Sequence, residues 1–124
     1  MTNPKTIKID DVEYVRTDEI ASAPAVDTDG KPYVIVRSSG AGVFAGYLIE
    51  RDRSTGVAVL TKCNRLWRWT GASLSQVARD GIAGDGENKF GVDTFNHEIA
   101  GVLEVIPATE NARVAIERVK KWEV

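Results

Sequence analysis

An α+β domain built on an antiparallel, strongly twisted sheet or partial barrel is the fold class that three observations predict. Short apolar runs of strand length succeed one another through residues 33–69, and polar or glycine-containing turns separate them. Only two later stretches, behind Ser73 and behind Thr109, combine a capping residue with helical spacing. Consecutive short strands joined by tight turns favour antiparallel pairing with marked twist.

The chain opens with two alternating segments, Ile7 and Ile9, then Val12, Tyr14 and Arg16, around Asp10-Asp11. This pattern predicts a hairpin with charged polar faces, suited to an edge. Between Asp18 and Pro32 the composition shifts to Ala, Ser, Pro, Asp and Gly. That composition predicts a linker or long loop, and so an organisation of arm (1–18), linker (19–32) and single domain (33–124). Tyr33–Arg37 is a continuous apolar run, and Ser38-Ser39-Gly40-Ala41-Gly42 allows a tight turn or a close approach of backbone to a ligand. Val43–Glu50, Val57–Thr61 and Asn64–Trp69 read as three further strands of a meander.

Ser73-Leu74-Ser75-Gln76 has the form of a capping box and predicts a short helix over 74–80 that ends before Gly81. Gly84-Asp85-Gly86-Glu87 reads as a loop and Lys89–Val92 as a short strand, while Ile99–Ile106 reads as one strand stopped by Pro107. Thr109 then caps a final helix whose Ala112, Ala115, Ile116 and Val119 share a face. On that helix Arg113 and Glu117 are four apart, the spacing of a surface ion pair.

With 43% hydrophobic and 27% charged residues in 124, one core and one domain are expected. No apolar run approaches the ~18 residues of a membrane span, and Met1-Thr2-Asn3-Pro4-Lys5 leads into no apolar signal core, so a cytoplasmic protein is expected. Cys63 is the only cysteine and His97 the only histidine. A cysteine-based zinc site is excluded, and a Cys-His nucleophile pair requires the fold to join these two residues. Phosphate-loop and dinucleotide fingerprints are absent, since Gly40-Ala41-Gly42 lacks a third glycine and a following helix. The expectation is a binding protein without catalytic residues, metal or cofactor.

The net charge of −2 is unevenly spread: residues 31–69 carry seven basic against two acidic side chains. A chain that is acidic overall but basic in its middle third suits a small anion, or a contact between copies, better than a nucleic acid. Opposite charges that intermix in space would remove the asymmetry. In Asn64-Arg65-Leu66-Trp67-Arg68-Trp69, strand alternation places Trp67 and Trp69 on one face and Leu66 and Arg68 on the other. Aromatic plates beside guanidinium groups fit a nucleotide, whereas strand tryptophans more often fill cores and interfaces. For holding such a ligand, Trp67, Trp69 and Phe90 offer stacking faces, Arg37, Arg65 and Arg113 offer cations, and Asn88 and Asn96 can read a base edge.

Arg37-Ser38-Ser39-Gly40-Ala41-Gly42-Val43-Phe44-Ala45-Gly46-Tyr47-Leu48, Arg65–Trp69, Gly71–Gln76 and Lys89-Phe90 together resemble small bacteriophage proteins of uncharacterised-domain type. Within or near these stand the sponge proteins that counter the Thoeris defence system. The likeness spans residues 33–122 and departs from the family pattern at Arg68, where an aromatic is common, and by one residue fewer before Ser73. It implies a non-enzymatic role in the infected host's cytoplasm, sequestering cyclic ADP-ribose isomers and, in some members, cyclic oligonucleotides. It also implies a homo-oligomer, a dimer or hexamer, with pockets near subunit boundaries. Under this resemblance Phe90 stacks on adenine, Arg37 and Arg113 pair with phosphates, and Asn96 bonds to base or ribose. Ser39 and Arg65 complete the implied ligand-binding set. The alternative is a phage protein-binding inhibitor or small interaction module, with Trp67 and Trp69 at the interface.

Overall fold

The structure, a computed structural model, describes residues 6–9, 12–15, 22–70, 73–82 and 87–123. Strands β1 (Thr6–Ile9) and β2 (Val12–Val15) pair antiparallel as a separate two-stranded sheet, the expected hairpin. The Asp10-Asp11 turn, the start of the expected linker and Gly84-Asp85-Gly86 lie outside the described residues.

The body is an α+β fold on one antiparallel sheet of six strands. These are β3 (Tyr33–Ser38), β4 (Gly42–Asp52), β5 (Val57–Arg68), β6 (Lys89–Phe90), β7 (His97–Ile99) and β8 (Val102–Pro107). The order is β6-β5-β4-β3-β8, and β7 also pairs with β5. Helices α1 (Leu74–Asp80) and α2 (Glu110–Glu117) start where the capping residues predict. Ser73 accepts from the Gln76 amide and Thr109 from the Ala112 amide.

Apolar residues on alternating sides of β3 explain why Tyr33–Val36 are buried, while Arg37 is exposed. Tyr33 and Ile35 enter a core with Ala45, Tyr47, Leu66 and Phe90, closed by Val77 and Ala78 of α1 and Ala112 and Ile116 of α2. Val34 and Val36 enter a second core with Phe44, Leu60, Cys63 and Ile99. No helix contributes to this second core among the described residues; curvature of the sheet encloses it. Eleven residues of β4 would span roughly 37 Å if straight. Yet the turns at its two ends, through Ser39 and Gly56, hydrogen-bond to the adjacent residues Gly101 and Val102. The strand therefore coils over on itself.

Two bulges permit that bend. The β4–β5 register shifts between Ala45 and Tyr47 and again between Leu48 and Glu50. Lys62, opposite the first shift, has φ 47°, in the left-handed region. The segments expected as separate strands, Val57–Thr61 and Asn64–Trp69, are thus one bent strand, β5. Because the bulge flips alternation, Leu60 and Cys63 reach the same core despite their odd spacing. Gly46 faces the bend, where a Cβ would come 2.9 Å from the Cys63 Cα.

The expected Ile99–Ile106 strand is in fact two. β7 lies on β5 and β8 lies on β3, at opposite edges of the sheet, with only Ala100-Gly101 between them. Gly101, at φ 66°, turns the chain there. The edges thus come near each other without β7–β8 pairing, and the sheet is curled but not closed into a barrel. The described part of the expected linker is fastened to the body. Ala25 is buried in the helix-side core, its amide donates to the Ala108 carbonyl, and its carbonyl accepts from the Tyr33 amide.

Candidate functional site

The six residues expected to bind a ligand do not converge. Arg37 lies on the exposed face of β3 with its Nε donating to Glu104 at 2.8 Å. Ser39 sits in the β3–β4 turn, where its amide donates to Gly101. Arg65 places its guanidinium 4.7 Å above the Phe44 ring, and its buried Nε has no hydrogen-bond partner. Phe90, expected to stack on a base, is instead 0% exposed within the helix-side core, so neither ring face is open for stacking. Its alternation with Leu66 on the neighbouring strand carries it inward.

Of the six, Arg113 borders a groove, and the neighbour of Asn96, Phe95, lines it too. A cavity of about 420 Å³ is floored by Tyr47 and Thr61, walled by Val26, Asp27 and Thr28, and flanked by Lys62, Phe95 and Arg113. Lys62 also lines an adjoining cavity of about 340 Å³ with Asn64, Asp93, Glu117, Val119 and Lys121. Phe95 is 65% exposed, a large cost for a phenylalanine that has no cover. Asn96 follows it at φ 52°. Phe95 escaped sequence reading because it lies in a short polar stretch, Asp93-Thr94-Phe95-Asn96, with no periodic pattern.

The groove's charges are held in a network. Arg113 is gripped by Glu110 and, at 2.5 Å, by Glu117, while the Tyr47 hydroxyl donates to Glu117 at 3.2 Å. The bond from Arg113 holds the Glu110 carboxyl below its ordinary range. Burial, then the Glu117 charge, pushes the Tyr47 hydroxyl up. Desolvation holds Lys121 below the usual lysine value. Lys62 is the looser cation, 53% exposed and 3.7 Å from Glu117. Such a set offers an aromatic plate, hydroxyls and a movable ammonium to a polar ring-bearing ligand.

Elsewhere, Trp67 and Trp122, each about half exposed, meet edge to face at 5.9 Å. The Lys89 ammonium lies 4.4 Å from the Trp122 ring. Trp69 instead packs against the helix-side core, so the two strand tryptophans have different roles. Strand β5 ends at Arg68, and alternation ends with it. Cys63 is fully buried, and burial pushes its thiol up to about 12, as an inert core cysteine requires. Of the seven basic residues in 31–69, Lys31, Arg37, Lys62 and Arg68 face carboxylates. Charge therefore intermixes at these four positions. No helix of the described residues is long and apolar enough to cross a membrane.

These features define a helix-backed, curled-sheet α+β domain with a polar groove at the bend of β5. The chain belongs to the family described as a domain of unknown function, DUF6948, whose model matches residues 31–116, from just before β3 into α2. No curated protein and no solved structure matched the chain.

Proposed function

We propose that the protein is a non-catalytic binder that holds a small cyclic nucleotide in the Lys62 groove and so withholds it from its receptor. The carrying observation is backbone strain. Lys62 and Asn96 are the two non-glycine residues at positive φ among those described; Lys62 lines this groove, and Asn96 follows its lining residue Phe95 in the chain. Non-glycine residues at positive φ cost about 1–3 kcal/mol and cluster at ligand clamps. Phe95 supplies a stacking face, Lys62 a cation for phosphate, and Tyr47 and Thr61 hydroxyls for ribose. The cyclic nucleotide class, the infected-cell cytoplasm and a homo-oligomer sharing its pockets come from the resemblance of the strand and turn motifs to phage sponge proteins. Calorimetry against cyclic ADP-ribose isomers and cyclic di- and trinucleotides tests the reading. Binding that weakens in Lys62→Ala and Phe95→Ala supports it; no heat with any of them at high micromolar concentration sinks it.

The exposed Trp67–Trp122 pair favours a second reading, a module that docks a protein partner. Stoichiometric capture of one protein from host lysate, lost in Trp67→Ala and Trp122→Ala, would favour it. Release of a nucleotide from the heated, purified protein would favour the first.

A further inference from the structure

Where the curled end of β4 overhangs β3 and β8, a cavity of about 490 Å³ opens. Its size is that of small-molecule sites, roughly 300–1,000 Å³. The floor is apolar: Val34, Leu48 and Val105 belong to the second core or pack on it, with Pro32 and Pro107 beside them. Its charged lining is Arg51 and Arg53, two apart at the end of β4. Neither arginine's side chain makes an ion pair or hydrogen bond with a described residue. Of the acids beside them in sequence, Asp52 is engaged by the amide and hydroxyl of Ser54, and Glu50 forms no ion pair with either arginine. Two uncompensated guanidinium groups at the rim of an apolar mouth match a molecule with a charged head and a hydrocarbon body.

We infer that this mouth is a second binding site, for a small amphiphilic anion whose carboxylate or phosphate meets Arg51 and Arg53 while its apolar body lies on Val34, Leu48 and Val105. It differs from the Lys62 groove in having no aromatic plate and no carboxylate in its lining. The basic middle third of the chain therefore has a use at two of the three positions, Arg51 and Arg53 but not Arg65, where no carboxylate of a described residue pairs with it.

Displacement of the fluorescent probe anilinonaphthalene sulfonate from the full chain tests the inference, with decanoate, decyl phosphate and neutral decanol as competitors. Decanoate or decyl phosphate should displace the probe at least about tenfold better than decanol, the size of one charge-assisted hydrogen bond. Their relative potency distinguishes a carboxylate from a phosphate ligand. Arg51→Ala/Arg53→Ala should remove that advantage, while Arg51→Lys/Arg53→Lys retains most of it. Both arginines are exposed, so an unchanged thermal transition verifies that each variant is folded. Equal potency of decanol and decanoate overturns the inference, as does an unaffected alanine double variant. Loss of the decanoate-displaceable signal in Phe95→Ala would place the probe in the Lys62 groove and also overturn it. The nucleotide calorimetry described above reads the other groove, so either result can fail alone.

Discussion

Lys62 occupies a backbone conformation that glycine adopts at no steric cost, and it keeps a long cation there. Lys62→Gly should raise stability by about 0.5–1 kcal/mol in urea denaturation by relieving the left-handed strain. The same change should weaken nucleotide binding. A loss of stability would mean that the lysine stem packs better than its exposure suggests. Arg113 shows how one residue serves a fold as well as a site, since it bridges Glu110 and Glu117 beside the Tyr47 hydroxyl. Glu110 has a folded-state pKa below its ordinary 4.5. Its contribution is therefore complete above that value and is lost as pH falls through the folded value. Stability of the native chain should fall more steeply below pH about 4.5 than that of Arg113→Met, measured by thermal melts across acid pH.

Helix starts are the most local elements, and both were legible as capping residues. Ser73 caps α1 alone, whereas Thr109 caps α2 and also donates to the Arg79 carbonyl at 2.6 Å, tying the end of α1 to the start of α2. Thr109→Ala should therefore cost more than Ser73→Ala, about 2 against about 1 kcal/mol by urea denaturation. Equal costs would show that the inter-helix bond contributes nothing. Strands were less legible. Val57–Thr61 and Asn64–Trp69 look separate because a bulge at Lys62 breaks their alternation, and a bulge looks like a turn when only spacing is seen. Ile99–Ile106 looks continuous because Ala100-Gly101 is short, although it carries the chain from one sheet edge to the other.

At the scale of the molecule, the segment before β3 belongs to the body. Ala23 and Ala25 bond to Glu110 and Ala108, and Ala25 fills the helix-side core. Removing residues 1–31 should lower the melting temperature relative to removing 1–21, because only the longer deletion takes those contacts away. Equal melting temperatures would show that the segment is dispensable. The curl of the sheet has the larger consequence, since it encloses a core without a helix and leaves the Arg51–Arg53 mouth at its rim.

Composition, turn residues and capping patterns by themselves determined the α+β class, the antiparallel pairing and both helices. Each depends on interactions within a few residues, or on counting apolar positions. Phe90 has the chemistry of a ligand plate, yet its pairing beside Leu66 makes it core. Phe95 carries no sequence signal, and it gains meaning only from the groove that it lines with Lys62 and Arg113. The bend of β4 and β5 made these choices. It joins residues far apart in sequence through bulges and a two-residue edge crossing, and no local pattern records which residues a bend will bring together.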